Sequence, residues 1–223
     1  HIYEKNVDVF ITPSKFLSEL LTEWGVHLRR VEVLRNFASL MPQRKKQGEY
    51  FLYVGRLSPE KGVDTLVKAC AGLSVPITIY GSGPEKRSLQ QLAAQLGAKN
   101  ITFVPYANEE TLRRYLTNAR ALVVPSIWYE NSPITVIEAF ATGVPVITSS
   151  LGGLPELVRD NETSLVFPAG DVDALREKIQ LLWNSPETAQ RLGHQAHEFA
   201  QTLTPEHYYH SVMSIYESLV PKS

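Results

Sequence analysis

Two carboxylates and two cations occupy positions in this sequence where they could act on one ligand. Glu130 and Glu138 lie eight residues apart in SIWYENSPITVIEAFATGVPVITSS, and Arg56 and Lys61 lie within GRLSPEKG. Paired carboxylates can act as a general acid and base, or they can accept hydrogen bonds from hydroxyl groups. Cations beside a helix N-terminus suit a diphosphate, because the free amides and the helix dipole there already favour an anion.

The local sequence separates the two carboxylates. Ser132 and Pro133 predict an N-cap and the first helical position, since serine accepts a hydrogen bond from first-turn amides and proline has no amide to leave unpaired. Glu130 then lies in the loop before the helix, and Glu138 lies in its second turn. The two carboxylates need not converge on one atom, so the spacing does not by itself predict an acid and base.

The predicted helix would present free amides at Ile134, Thr135 and Val136. An anion bound there would lie between Glu130 and Glu138, which repel it unless each carboxylate binds another part of the same ligand. Carboxylates bind hydroxyls well, and a molecule with hydroxyls on both sides of a diphosphate is a nucleotide sugar. The alternative is that both are solvated glutamates, although Glu138 lies in the apolar stretch VIEAFA, where an unpaired charge is costly.

Three further strand-to-helix turns could contribute, because ligands in open α/β sheets bind beyond the carboxyl ends of the strands. In VGRLSPEKG, Gly55 ends a strand just before the two cations. In YGSGPEK, Gly81 and Gly83 follow a strand and favour either close approach to a ligand or an ordinary tight turn. In FVPYANEE, Val104 and Tyr106 could lie against a flat base.

Composition limits the classes of partner. The chain has 223 residues, 43% hydrophobic and 20% charged, with a net charge of -1. It can bury a core of ordinary size, and it has no long basic run that would indicate binding to nucleic acid. Cys70 is interpreted as a small buried apolar residue. We expect no metal site, because His194 with His197 and His207 with His210 come without further ligands.

Short β-branched runs alternate with amphipathic stretches, which predicts parallel βαβ units with helices on both faces of a sheet. Strands are predicted at 7–12, 31–35, 50–55, 76–81, 100–104, 121–125, 144–149 and 164–167. Helices are predicted at 14–25, 60–73, 84–97, 108–119, 132–143, 153–160, 171–184, 186–202 and 205–219. The polar stretch QRKKQGE, residues 43–49, is the predicted linker.

Taken together, the motifs resemble those of the retaining glycosyltransferases of group one, family four, which have the two-domain GT-B fold. GRLSPEKGVDTLVKA, YGSGPE, ITFVPY, ENSPITVIE, EAFATGVPVI and GGLPELV carry the resemblance in this order over most of the chain. It implies an α/β, Rossmann-like parallel sheet with helices on both faces, the C-terminal half of such a fold. The implied domains are a remnant of the N-terminal acceptor domain and linker (1–42), a nucleotide-sugar-binding domain (43–202) and a C-terminal helix that packs toward the N-terminal domain (203–223).

The resemblance also implies a role for each motif residue. Arg56 and Lys61 would bind the donor diphosphate and, with Glu130, form the catalytic set. Glu130 would contact hydroxyls of the transferred sugar, and Glu138 would hold those of the ribose. The implied substrate-binding residues are Gly55, Arg56, Lys61, Gly81, Gly83, Val104, Tyr106, Ser126, Glu130, Asn131, Ser132, Pro133, Ile134 and Glu138. Pro105 stands where the family commonly has Gly, which removes one amide from the region expected to contact the base.

The implied function is transfer of a sugar from a UDP- or GDP-linked donor to an acceptor hydroxyl with retention of configuration, without a metal or other cofactor, in polysaccharide or glycoconjugate biosynthesis. The acceptor, a glycan, lipid or small molecule, would bind the absent N-terminal domain, so the chain alone is expected to be inactive. We expect a cytoplasmic location, with peripheral association at the inner membrane face left open. Two alternatives are a non-catalytic nucleotide-sugar-binding module and a nicotinamide oxidoreductase, which predicts glycine where the chain has Lys86.

Overall fold

The computed structural model of the protein describes residues 6–39, 46 and 48–220, so that most of the predicted linker at 43–49 lies outside the described residues. The strands are β1 (Phe10–Thr12), β2 (Val31–Val33), β3 (Tyr50–Val54), β4 (Ile77–Tyr80), β5 (Ile101–Val104), β6 (Ala119–Val124), β7 (Val146–Ser149) and β8 (Ser164–Phe167). The α-helices are α1 (Lys15–Glu23), α2 (Val63–Cys70), α3 (Lys86–Gln95), α4 (Glu109–Asn118), α5 (Ile134–Ala141), α6 (Leu154–Leu157), α7 (Val172–Asn184), α8 (Pro186–Ala200) and α9 (Pro205–Leu219). Within these ranges, no helix is both long and apolar enough to cross a bilayer.

All eight predicted strands are confirmed, with shifts of a few residues at their ends. Two predicted helices differ by more than a shift at their ends. The helix predicted at 60–73 is divided by Gly62, whose left-handed φ of 60° separates the 3-10 helix Pro59–Lys61 from α2. The helix predicted at 153–160 shortens to α6, because Val158 is extended, with φ −110° and ψ 153°. Beyond it, Asp160 pairs with Ser164 as an isolated β-bridge.

Six parallel strands form the main sheet in the order β5-β4-β3-β6-β7-β8. The chain moves outward from β3 through β4 and β5 and then returns to the other side of β3 with β6. Side chains alternate between the two faces, so that Phe51 and Tyr53 lie in one core cluster and Leu52 in the other. The carboxyl ends of β3 and β6 meet where the strand order reverses, which is where open α/β sheets bind ligands.

Helices cover both faces of the main sheet. On one face α2, α3 and α7 bury Leu66, Leu89 and Ile179, and on the other α4 and α5 bury Leu116 and Phe140. Strands covered on both faces are hydrophobic throughout rather than alternating, and β6 and β7 are buried along their whole length. The predicted Rossmann-like α/β fold is confirmed.

The β1-α1-β2 unit forms a separate two-stranded parallel sheet. Helix α9 contacts it, since Arg30 Nη1, just before β2, donates to Ser218 Oγ at 3.1 Å. In the segment after β2, the Phe37 ring lies 4.7 Å from the Tyr208 ring of α9. The unit therefore contacts the C-terminal end of the described chain.

Candidate functional site

The loops after β3 and β4 are held together by their backbones. The Leu57 amide donates to the Ser82 carbonyl at 2.8 Å. A Cβ atom added to Gly81 would lie within 3.0 Å of the Gly55 carbonyl oxygen, and one added to Gly83 would lie equally close to the Leu57 backbone. Real Cβ atoms essentially never come so close. The glycines of YGSGPEK thus let two protein loops approach each other at the end of the sheet.

The loop after β3 carries the two predicted cations in different settings. Lys61 Nζ lies 2.6 Å from Glu130 Oε1, in the loop after β6. The Arg56 guanidinium instead pairs with Glu60 at 2.9 Å, and 69% of the Arg56 side chain is exposed. The structure brings Lys61 into contact with a predicted catalytic carboxylate and leaves Arg56 at the solvent edge.

Glu60 determines where Arg56 lies. Its carboxylate accepts a hydrogen bond from Ser58 Oγ at 2.6 Å and from Arg56 Nη2 at 2.9 Å. These hydrogen bonds lower the pKa of Glu60 to about 2, and the one from Ser58 has the largest effect. The Glu60 carboxylate is therefore ionised at neutral pH. The sequence did not indicate this pair, because the i, i+4 rule applies to residues within one helix and Arg56 precedes the 3-10 helix Pro59–Lys61. A ligand phosphate would have to draw Arg56 away from Glu60.

Glu130 is the centre of the contacts at this edge of the sheet. Its Oε1 accepts hydrogen bonds from Lys61 Nζ and Ser126 Oγ, both at 2.6 Å, whereas Oε2 accepts none from the described residues. Ser126 is only 2% exposed, and its carbonyl accepts a hydrogen bond from Ser149 Oγ at 2.7 Å. In this structure Ser126, predicted to bind substrate, orients the Glu130 carboxylate.

Helix α5 begins at Ile134, one residue after Pro133, the predicted first helical position. Pro133, with φ −66° and ψ 120°, is the extended cap residue, and no side chain in the described part of the protein caps the helix. The assignment of Ser132 as N-cap was wrong, and its buried hydroxyl has no hydrogen-bond partner among the described residues. The Val136 amide donates to the Pro133 carbonyl at 3.1 Å. The predicted set of three free amides therefore reduces to those of Ile134 and Thr135, which precede the first intrahelical acceptors.

Glu138 extends from the second turn of α5 near the N-terminal half of α4. Its half-buried carboxylate accepts no hydrogen bond within the described part of the chain. Burial is the main cause that raises the pKa of Glu138, and the nearby Glu109 carboxylate raises it further. The Arg113 guanidinium acts in the opposite direction. A half-buried carboxylate that lacks a donor can be satisfied by hydroxyl groups of a ligand.

We expect Glu138→Gln to raise the thermal stability of the ligand-free protein at neutral pH. Because the pKa is raised on folding, the folded state binds the proton more tightly than the unfolded chain, and ionisation destabilises the fold. The stability difference between Glu138→Gln and wild type should disappear below pH 4.5, the ordinary pKa of this carboxyl group. It should increase as the pH rises from there through the raised pKa of Glu138. Thermal unfolding at several pH values measures this, with Glu177→Gln, at an exposed position on α7, as control. Equal stability of wild type and Glu138→Gln at neutral pH would refute it.

The loop after β5 is anchored by Tyr80, a fully buried residue at the end of β4. The Tyr80 hydroxyl accepts a hydrogen bond from the Ala107 amide at 2.9 Å and donates to the Asn108 carbonyl at 3.3 Å. The Tyr106 ring is exposed, and its centroid lies 5.5 Å from that of the Tyr80 ring. Val104, which ends β5, is partly buried. The sequence did not indicate Tyr80, because an apolar strand position is interpreted as core.

The predicted site residues fall into three groups. Direct contacts join Lys61, Ser126 and Glu130. The loop into α5 contributes Asn131, Ser132, Pro133 and Ile134, with Glu138 one turn further on. The third group comes from the ends of β3, β4 and β5 and the loops that follow them, and none of its members has a described hydrogen bond to Glu130 or Glu138: Gly55, Arg56, Gly81, Gly83, Val104 and Tyr106. Over the described ranges, no group of three or more His, Cys, Asp or Glu residues could hold a metal ion.

Two named relatives share sequence with the chain over most of its length. D-rhamnosyltransferase WbpZ of Pseudomonas aeruginosa is 33% identical over 156 residues, which cover 69% of this chain and 41% of that protein. O-antigen chain mannosyltransferase C of Escherichia coli is 29% identical over 174 residues, which cover 77% of this chain and 47% of that protein. The chain therefore spans less than half the length of these relatives.

Solved structures and a family model agree with this similarity. Sucrose-phosphate synthase from Thermosynechococcus elongatus matches with a TM-score of 0.87 at 29% identity, over 98% of this chain and 60% of that one. Anabaena Alr3699/HepE, solved with UDP and glucose, matches in fold with a TM-score of 0.89 at 17% identity, over 98% and 65% of the two chains. The model of the family "Glycosyl transferases group 1" matches residues 39–199. The predicted resemblance is confirmed, and the chain belongs to the group 1 glycosyl transferases.

Proposed function

We propose that this chain is the donor-binding part of an enzyme that transfers a sugar from a UDP- or GDP-linked donor to an acceptor hydroxyl with retention of configuration. The contact between Lys61 and Glu130 carries this proposal, because it engages only Oε1 of a carboxylate in the loop that leads into α5, and Oε2 accepts no hydrogen bond from the described residues. A cation, a free carboxylate oxygen and the amides of Ile134 and Thr135 are groups that suit a diphosphate flanked by hydroxyls. The named activities of WbpZ and mannosyltransferase C support sugar transfer.

In the proposed reaction Lys61 stabilises the charge that develops on the departing nucleoside diphosphate. Its ammonium is already oriented by Glu130, so that little side-chain freedom is lost when the ligand binds. The amides of Ile134 and Thr135 add two donors at the positive end of α5. Arg56 adds a second cation when the phosphate replaces Glu60 as its partner.

The two carboxylates act as hydrogen-bond acceptors. Glu130 binds a hydroxyl of the transferred sugar through Oε2, and Glu138 binds the ribose hydroxyls. The bond between the anomeric carbon and the phosphate oxygen breaks as the acceptor oxygen attacks the same face of the sugar, and the departing phosphate takes the proton of the acceptor. Neither carboxylate has to move a proton in this scheme.

The proposal extends to the organisation of the protein. We assign residues 43–202 to the nucleotide-sugar-binding domain, with Tyr106 against the base. Residues 1–42 are assigned to a remnant of the N-terminal acceptor domain and linker, and 203–223 to a C-terminal helix that packs toward the N-terminal domain. The acceptor is a glycan, a lipid or a small molecule. We place the reaction in the cytoplasm, with peripheral association at the inner face of the membrane included in the proposal.

The proposal is tested by calorimetric titration of the chain with UDP, GDP and ADP, and with the hexose conjugates of those that bind. We expect UDP or GDP to bind. Glu138→Ala should weaken binding of the free nucleotide about tenfold, the effect of losing hydrogen bonds to a charged group. Glu130→Ala should mainly reduce the additional affinity that the sugar confers. Binding of no nucleotide would reject the proposal, and equal effects of the two substitutions on free nucleotide would reject this division of roles.

A further inference from the structure

The β1-α1-β2 unit contacts the loop that carries Glu130, although it belongs to a different sheet. Ser14 Oγ donates a hydrogen bond to Asn131 Oδ1, a residue 117 positions further along the chain. Nearby, the Phe16 ring lies 5.0 Å from the Tyr129 ring. The residues on either side of Glu130 are therefore both held from outside the main sheet.

Ser14 makes two hydrogen bonds with different roles for its hydroxyl. It is the N-cap of α1, and its Oγ accepts from the Leu17 amide at 3.1 Å. A serine hydroxyl has one proton to donate, and at this buried position that proton goes to Asn131 Oδ1. The opposite orientation of the Asn131 amide would leave the buried proton without an acceptor, which is costly.

This contact determines which end of the Asn131 amide is available. Because Oδ1 receives the proton of Ser14, the free end of the side chain is Nδ2, which carries two hydrogens. Nδ2 has no acceptor among the described residues, and the side chain is partly exposed. An amide nitrogen in this setting can donate to an oxygen atom of a ligand.

The junction around Ser14 is fixed from a second side by the turn at α6. The Glu156 carboxylate accepts hydrogen bonds from the Lys15 amide at 2.8 Å and the Phe16 amide at 2.6 Å. Glu156 thereby provides acceptors for two amides in the first turn of α1, and Ser14 provides the acceptor for a third, that of Leu17. Helix α1 is therefore attached at its N-terminus to the same region as the Glu130 loop.

Gly153 completes this junction. Its amide donates to the Glu130 carbonyl at 2.6 Å. A Cβ atom at Gly153 would lie 3.0 Å from Ser14 Cβ and still closer to the Asn131 carbonyl oxygen. The start of α1, the α6 turn and the Glu130 loop are thus packed too closely for Asn131 to take a different backbone position without shifting the others.

We propose that Ser14 is a positioning residue that turns the Asn131 amide so that its nitrogen binds an oxygen atom of the nucleotide sugar. The proposal rests on the proposed function of the site, and the oxygen belongs either to the diphosphate or to the sugar. Titration with the free nucleotide and with its hexose conjugate distinguishes the two. A loss of affinity for both ligands assigns the contact to the phosphate, and a loss for the conjugate alone assigns it to the sugar.

The test uses Ser14→Gly, because glycine is tolerated at an N-cap with only a small loss of helix stability, whereas the donor hydroxyl is removed. We expect three- to tenfold weaker binding of the nucleotide sugar. Ser14→Thr, which retains the hydroxyl, should restore the affinity. Thr204→Gly is the matched control, since Thr204 caps α9 through the His207 amide and should leave the affinity unchanged.

A double-mutant cycle shows whether Ser14 acts through Asn131. In an Asn131→Ala background, Ser14→Gly should have no further effect on affinity. A further loss of the same size in that background, or wild-type affinity in Ser14→Gly alone, overturns the proposal while the proposed function stands. If the wild-type chain binds no nucleotide, the proposed function fails first, and the assignment of Ser14 fails with it.

Discussion

Lys61→Met is expected to weaken nucleoside-diphosphate binding about ten- to a hundredfold, the usual range for loss of a hydrogen bond to a charged group. The Lys61 side chain is 30% exposed and lies 2.6 Å from Glu130. A diphosphate at the N-terminus of α5 would meet this ammonium where solvent screens charge less than on an open surface. Calorimetric titration with the nucleotide that the wild-type chain binds measures the effect.

The same substitution leaves Glu130, whose side chain is 14% exposed, without its cation. We therefore expect Lys61→Met to lower the free energy of unfolding by about 1–3 kcal/mol, and Glu130→Gln in the same chain to restore stability but not nucleotide affinity. Lys68→Met is the control, because Lys68 pairs with Asp64 at 2.7 Å on the open surface of α2. If Lys68→Met weakened binding equally, or Glu130→Gln restored it, Lys61 would not be the ligand's cation.

Gly83→Ala is expected to destabilise the fold by about 3 kcal/mol, at the upper end of the usual cost of overpacking. The added Cβ would meet the backbone of Leu57, which cannot rotate away as a flexible side chain can. The midpoint of thermal unfolding should fall by about 6–12 °C for a chain of this size.

Gly97→Ala separates this clash from the general cost of replacing glycine. Gly97 has a left-handed φ of 63° and open space around it, so that alanine there is strained but not obstructed. We expect a loss of only about 1–2 kcal/mol, the cost of a left-handed conformation for a residue with a Cβ. If Gly83→Ala were no more destabilising than Gly97→Ala, the tight approach of the β3 and β4 loops would be refuted.

The strands could be predicted from the sequence because each is an apolar run bounded by turn residues. The first residue of α5 could not. Proline at position 133 fits both a cap and a first helical residue, since its φ suits either. Asn36 Nδ2 donates to the Ser132 carbonyl at 2.7 Å, and this contact spans 96 residues, so that local sequence does not reveal it.

The site was predictable in its residue types and less so in its pairings. The motif residues indicated that Lys61 and Glu130 belong to one site, but only the pairing of β3 with β6 makes them direct partners. The sequence did not indicate that Glu60 holds Arg56 or that Ser14 contacts Asn131. The first pair lies within a single turn, whereas the second depends on how two separate sheets pack.

The order of the main sheet also has a consequence for how the protein folds. Strand β3 lies beside β6, although the chain forms β4 and β5 between them, so that the contact of Lys61 with Glu130 joins residues 69 positions apart. Closing so long a segment costs entropy before any contact compensates for it, and contacts of high sequence separation slow folding. Neither half of the sheet contains a complete site during synthesis or refolding. Under the proposed function, the ability to bind a nucleotide would arise only when the two halves join, and its appearance would mark completion of the main sheet.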